Sequence, residues 1–261
     1  MVEFRTAASI TVTATLGVVA GCAKTASPEP PLRVAAAADL AFAFREVGDA
    51  FAKKSGLPAP IFSFGSTGLL EKQIEQGAPF DVFAAANVSY ADQAVKAGAC
   101  DGATRKSYGR GRLVVWTSKE AATAPPLTLA DLADARFRKV AIANPEHAPY
   151  GRAAEQALAH LGLWDGIKSK LVFGENVQET LQFAVTGNAD AAVVALSLAI
   201  VTKDGVSLPI DESLHAPIDQ AMVLCKAGGN RAAGARFEDF LNGPDGRAIM
   251  KRYGFLLPGE G

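Results

Sequence analysis

The chain has 261 residues, 49% of them hydrophobic and 20% charged, with a formal net charge of −1. That is enough apolar material for one large core or two modest ones, and it excludes a disordered chain. Lys+Arg 26 against Asp+Glu 27 leaves none of the basic excess that a nucleic-acid surface demands, and three cysteines are too few for a disulfide scaffold.

The amino terminus carries an export signal. Residues 7–20, AASITVTATLGVVA, are apolar but fall short of the roughly 20 residues a bilayer span needs. With Arg5 ahead of them, partly offset by Glu3, residues 1–21 read as a signal peptide. Val19-Ala20-Gly21-Cys22 resembles a bacterial lipobox, in which Cys22 is lipidated and becomes the new first residue; the alternative is an ordinary signal peptide with an incidental cysteine. Residues 22–31 then form the lipidated end and a polar, Pro-rich tether. The expectation is an exported protein, periplasmic or cell-surface, anchored to the membrane through Cys22.

From Leu32 the pattern is α/β. Strands are predicted at 32–37, 60–64, 80–84 and 113–116, and in the second half at 139–143, 171–173, 191–196 and 221–224. Leu40, Phe44, Val47 and Phe51 repeat at helical spacing, with Asp39 in position to cap that helix. Leu70 and Ile74 mark a helix after Gly65-Ser66-Thr67-Gly68, and Ala154, Leu158 and Leu161 one after Pro149-Tyr150-Gly151. Asn176 and Glu179 make a capping box for a helix carrying Val177, Leu181 and Val185, and Phe237, Phe240 and Leu241 lie on a last helix ending near Gly243-Pro244. Strands alternating with helices predict mostly parallel sheets with helices on both faces.

Four of the helix starts are built from small or hydroxyl-bearing residues: Asp39, Ser66-Thr67-Gly68, Pro149-Tyr150-Gly151 and Asn176-Val177. Helix N-termini offer unpaired N–H donors at the positive end of the dipole, so a set of them can hold an anion. Two lie in each half of the chain, as a ligand clamped between two domains requires. Ordinary capping accounts for the same residues without a ligand. No phosphate-loop, dinucleotide or nucleophile-elbow motif occurs, and His147, His160 and His215 have no metal-ligand spacing. His147 beside Glu146 is read as a polar loop residue, the alternative being a general base. Cys100 and Cys225 either pair after export or stay as free buried thiols.

Several stretches, taken in order, resemble the molybdate-binding proteins of bacterial ABC importers, within the type II periplasmic binding fold. They are 34–40 (VAAAADL), 63–68 (SFGSTG), 76–83 (QGAPFDVF), 143–151 (ANPEHAPYG), 187–190 (GNAD) and 251–255 (KRYGF). The resemblance implies two domains joined by a two-crossing hinge: 32–111 with 226–261, and 112–225. It implies a non-enzymatic solute-binding protein without a cofactor, a monomer that captures molybdate or tungstate and delivers it to a membrane permease. In that family neutral hydroxyls and backbone N–H groups hold the oxyanion; by position the role falls on Asp39 with its 38–39 turn, Ser66, Thr67, Tyr150 and the N–H of Val177. Relatives carry serine or asparagine where this chain has Asp39. A carboxylate repels an anion, so Asp39 is expected to turn away and cap its own helix. Two other readings are a binding protein for another small anion or an exported enzyme on the same fold. Ferric ion is disfavoured because Tyr90, Tyr108, Tyr150 and Tyr253 are scattered.

Overall fold

The computed structural model describes residues 1–3, 29–120 and 124–260. The signal-peptide and lipobox residues expected around Cys22 lie outside them.

In chain order the first lobe opens with β1 (Arg33–Ala37), a 3-10 turn at Ala38–Leu40, α1 (Ala41–Ser55), β2 (Ile61–Gly65), α2 (Thr67–Glu75), β3 (Val82–Ala85), α3 (Val88–Lys96) and β4 (Cys100–Gly111). The chain crosses into the second lobe at Arg112, giving β5 (Leu113–Ser118), β6 (Val140–Ala143), α4 (Pro149–His160), α5 (Trp164–Ile167), β7 (Leu171–Gly174), α6 (Val177–Val185), β8 (Ala191–Ala195), α7 (Leu196–Ala199) and β9 (Gly205–Pro209). It returns through β10 (Ile218–Cys225) to α8 (Arg231–Asn242) and α9 (Pro244–Arg252).

Each lobe is a five-stranded mixed sheet, ordered β2-β1-β3-β10-β4 and β7-β6-β8-β5-β9. Three strands of each are parallel, and the fourth, β10 or β5, runs against them. That fourth strand is in both cases the one arriving from the other lobe. Because β10 pairs with β3 and β4, the return crossing falls before Ile218, not at 225–226 as the sequence suggested. Residues 221–224 read as a generic buried strand, and only pairing reveals which sheet they join.

The central parallel strands are continuous apolar runs because helices cover both faces; β3, β6 and β8 are buried at every position. An aromatic cluster fills one side of the first lobe, with Phe44, Phe51 and Phe62 around Phe237 at centroid distances of 5.4–6.1 Å. Trp116, Phe137, Ile142 and Leu158 are buried in the second. The sequence reading misses β4 and β9, both edge strands whose exposed positions erase the apolar alternation. It also misses α3 and α9: Gly243-Pro244 ends α8 as expected, but Pro244 then opens α9 as a first-turn proline. Cys100 and Cys225, directly paired across β4 and β10, form a disulfide.

Candidate functional site

Register places the site. Ala37 pairs with Gly65 at the ends of β1 and β2, and Ala143 with Gly174 at the ends of β6 and β7. The segments that leave these strands therefore start side by side at the carboxyl edge of each sheet, where open α/β sheets bind ligands. The two edges face each other across a small cavity of about 10 Å³. Its lining includes Asp39, Ser66 and Thr67 from one lobe and Tyr150 and Val177 from the other. The fold thus gathers all five residues singled out in the sequence around one space, and neither Lys nor Arg lines it.

Thr67 and Val177 are the first residues of α2 and α6, so their N–H groups have no partner within the helix. At α6 the expected cap is present: the Asn176 side chain accepts from the N–H groups of Gln178 and Glu179. The return bond is shifted by one residue, because the Glu179 carboxylate accepts from the N–H of Glu175 instead of Asn176. Ser66 and Thr67 are not caps. The Ser66 hydroxyl lies 2.8 Å from Nδ1 and 2.7 Å from the carbonyl of His147 in the opposite lobe. The Thr67 hydroxyl accepts from the buried N–H of Ala86 at 3.2 Å. Beside them the N–H of Gly68 donates to the same His147 carbonyl at 3.0 Å, an approach that a Cβ on Gly68, only 2.9 Å from that oxygen, would block.

Asp39 departs from expectation. It lies inside a 3-10 turn rather than before α1, and its carboxylate caps no helix. Instead Oδ2 accepts from the Tyr150 hydroxyl at 3.0 Å and from Gln220 Nε2 at 2.7 Å, while Gln220 also reaches the Tyr150 hydroxyl at 3.3 Å. The Asp39 backbone carbonyl accepts from the Ser197 hydroxyl at 2.7 Å. The physical reason is competition: the 3-10 turn points the side chain across the cleft, where two good donors converge on it. Burial pushes the Asp39 pKa up from 3.8 to about 6, against the lowering effect of the bonds from Gln220 and Tyr150. Burial, and then the Asp39 charge, raises the Tyr150 hydroxyl well above its ordinary value. Oδ1 of Asp39 is buried without a hydrogen-bond partner.

Gln220 sits just past the return crossing, and Gly111 just before the first one. A Cβ on Gly111 would fall 1.9 Å from the Tyr150 hydroxyl, so glycine there makes the Tyr150–Asp39–Gln220 cluster possible. The sequence reading overlooked Gln220, Ser197 and the part played by His147. A lone amide inside the apolar run of β10 was the available signal for Gln220; nothing local marked Ser197. Among the described residues no group of three or more His, Cys, Asp or Glu could hold a metal ion, and no helix is long and apolar enough to cross a membrane.

The model of the bacterial extracellular solute-binding protein family matches residues 32–256. This chain belongs to that family. The solute-binding chain is 37% identical over 245 residues to the molybdate-binding protein ModA of Azotobacter vinelandii, covering 91% of this chain and 94% of that one. It is 30% identical over 248 residues to a Bacillus subtilis protein named as an ABC transporter substrate-binding lipoprotein, covering 91% and 92%. Among solved structures it matches the Azotobacter vinelandii periplasmic molybdate-binding protein with a TM-score of 0.81 at 31% identity, covering 87% of this chain and 99% of that one. These relatives are binding proteins, and with the family they make this chain a solute-binding protein rather than an enzyme.

Proposed function

We propose that this solute-binding protein captures a tetrahedral metal oxyanion, molybdate or tungstate, in the cleft between its lobes and delivers it to the permease of an ABC importer. The observation that carries the reading is the convergence of Asp39, Ser66, Thr67, Tyr150 and Val177, from both lobes, on one cavity whose other liners are neutral. A buried dianion must have its acceptor sites filled by hydrogen bonds, and neutral donors fixed by a fold select by size and direction. The names of the relatives over nearly the full chain favour molybdate over other small anions. Two crossings between lobes supply the hinge on which such a cleft closes.

The protein is exported and held at the membrane by lipid on Cys22, and works as a monomer without a cofactor. Support comes from the lipobox-like residues 19–22, the lipoprotein name of the Bacillus subtilis relative, and the Cys100–Cys225 disulfide, which suits an oxidising compartment.

The test is thermal unfolding and calorimetry of the purified protein with molybdate, tungstate, sulfate and phosphate. A ligand at 100 times its Kd adds about 2.7 kcal/mol of stability. The expected result is a shift with molybdate and tungstate and little with sulfate; a shift with sulfate or an organic solute alone would overturn the reading.

A further inference from the structure

We propose that Asp39 couples anion binding at this site to protonation: the anion binds together with one proton, drawn from solvent and held between Asp39 and the ligand. The inference rests on the oxyanion reading above and adds to it a fixed stoichiometry of protons.

The geometry forces the question. Asp39 lines the cavity, the residue is 99% buried, and its carboxylate Oδ1 has no hydrogen-bond partner. An anionic oxygen brought against a carboxylate oxygen finds a second acceptor where it needs a donor. At about 4 Å and an effective dielectric near 20, that like charge costs roughly a thousandfold in affinity. Tyr150 sharpens the conflict, because its hydroxyl has one hydrogen and directs it to Asp39 Oδ2 at 3.0 Å. Tyr150 can donate to the anion only by releasing Asp39, which removes a donor from the carboxylate as a negative charge arrives.

One proton resolves both difficulties. Added to Asp39, it cancels the charge and turns an acceptor into a donor. The carboxyl can then donate directly from Oδ1, the oxygen that has no partner. Alternatively it donates to the Tyr150 oxygen, which passes its own hydrogen to the anion. The count is the same either way: one H⁺ taken from solvent for each anion bound, with no other bond made or broken.

Among the described residues neither Lys nor Arg lines the cavity to do this work. The groups bonded to Asp39 are Tyr150 on α4 and the neutral Gln220 on β10 and Ser197 on α7; Tyr108 on β4 donates to the Ala85 carbonyl, and burial, then the Asp39 charge, raises its hydroxyl well above its ordinary value. Several charged side chains on adjoining elements are engaged elsewhere. Asp219 is tied to Arg110, Glu46 to Arg252, and Glu179 to the N–H of Glu175; Arg45 lies over the Phe64 ring, Arg112 donates to the carbonyl of Gly254, and His147 meets Ser66.

The experiment is calorimetric titration with sodium molybdate in buffers of different ionisation enthalpy, from about pH 7 to about pH 8.5, where the ligand stays a dianion. The unmodified protein should take up close to one proton per molybdate, and its affinity should fall about tenfold per pH unit. Asp39→Asn, which supplies a neutral N–H donor, should bind molybdate with uptake near zero and a flat pH profile. Molybdate binding by the unmodified protein with no proton uptake overturns this inference and leaves the oxyanion reading standing. Absence of molybdate binding by both proteins overturns the oxyanion reading, and this inference with it.

Discussion

The Tyr150 hydroxyl donates to Asp39 Oδ2 at 3.0 Å, joining side chains that are 111 residues apart and come from opposite lobes. Ser197 adds a second bridge to the Asp39 backbone, and Ser66 with Gly68 a third and fourth to His147. The residues assigned to the ligand are thus also the ones that hold the lobes together. On the oxyanion reading proposed above, an anion entering this site exchanges its own contacts for interlobe ones, which ties binding to lobe geometry.

Asp39 sets a pH dependence of stability. Its folded pKa, about 6, lies above the ordinary 3.8, so the folded protein binds this proton more tightly than the unfolded chain. Stability from this group is therefore present below the unfolded value and is lost as pH rises through the folded one. Without anion, Asp39→Asn should raise the unfolding free energy at neutral pH by up to about 3 kcal/mol and change it little near pH 4. Denaturant midpoints at the two pH values decide it; an equal gain at both would sink the assignment.

Gly111→Ala places a methyl group 1.9 Å from the Tyr150 hydroxyl and 2.8 Å from Gln220 Nε2. The strain should cost about 1–3 kcal/mol and weaken molybdate binding by displacing Tyr150. Thermal unfolding with and without ligand would show it, and a variant with unaltered Tm and affinity would mean that the cluster is not needed.

Ser66→Ala and Thr67→Ala should separate in effect. On the proposed reading the first loses a hydrogen bond to the anion as well as the contact with His147, so affinity should fall by roughly 10- to 150-fold with modest loss of stability. The second also leaves the buried N–H of Ala86 without its acceptor, a cost of about 1–3 kcal/mol to the fold. Calorimetry beside unfolding curves distinguishes them; unchanged affinity in both would place the site elsewhere.

Reduction of the Cys100–Cys225 bridge opens a loop spanning 125 residues. The loss should be about 2–5 kcal/mol, and the Cys100→Ala, Cys225→Ala double variant should match the reduced protein. Indifference of the denaturant midpoint to reductant would contradict this.

Cys22→Ala should move the protein from the membrane fraction to the soluble one. An intact mass showing an unmodified chain that begins beyond Cys22 would refute lipidation.

The first crossing at Gly111-Arg112 was implied only by the family resemblance; by itself the sequence determined the alternation of strands and helices and the four segments, at Asp39, Ser66-Thr67, Tyr150 and Asn176-Val177, that line the cleft. Those signals are local: apolar runs for strands buried on both faces, helical spacing, and small or hydroxyl residues after each strand. Edge strands such as β4 and β9 escaped because one side of each meets solvent and carries no apolar imprint. Only the tertiary structure assigned β10 to the first sheet, since strand pairing is a long-range choice among equivalent hydrogen-bonding edges. It alone placed the Ser66 hydroxyl against His147 of the opposite lobe and turned Asp39 from cap to partner of Tyr150 and Gln220. A hydroxyl or carboxylate takes the donors and acceptors that lie nearest in space, and those come from segments far away in the chain.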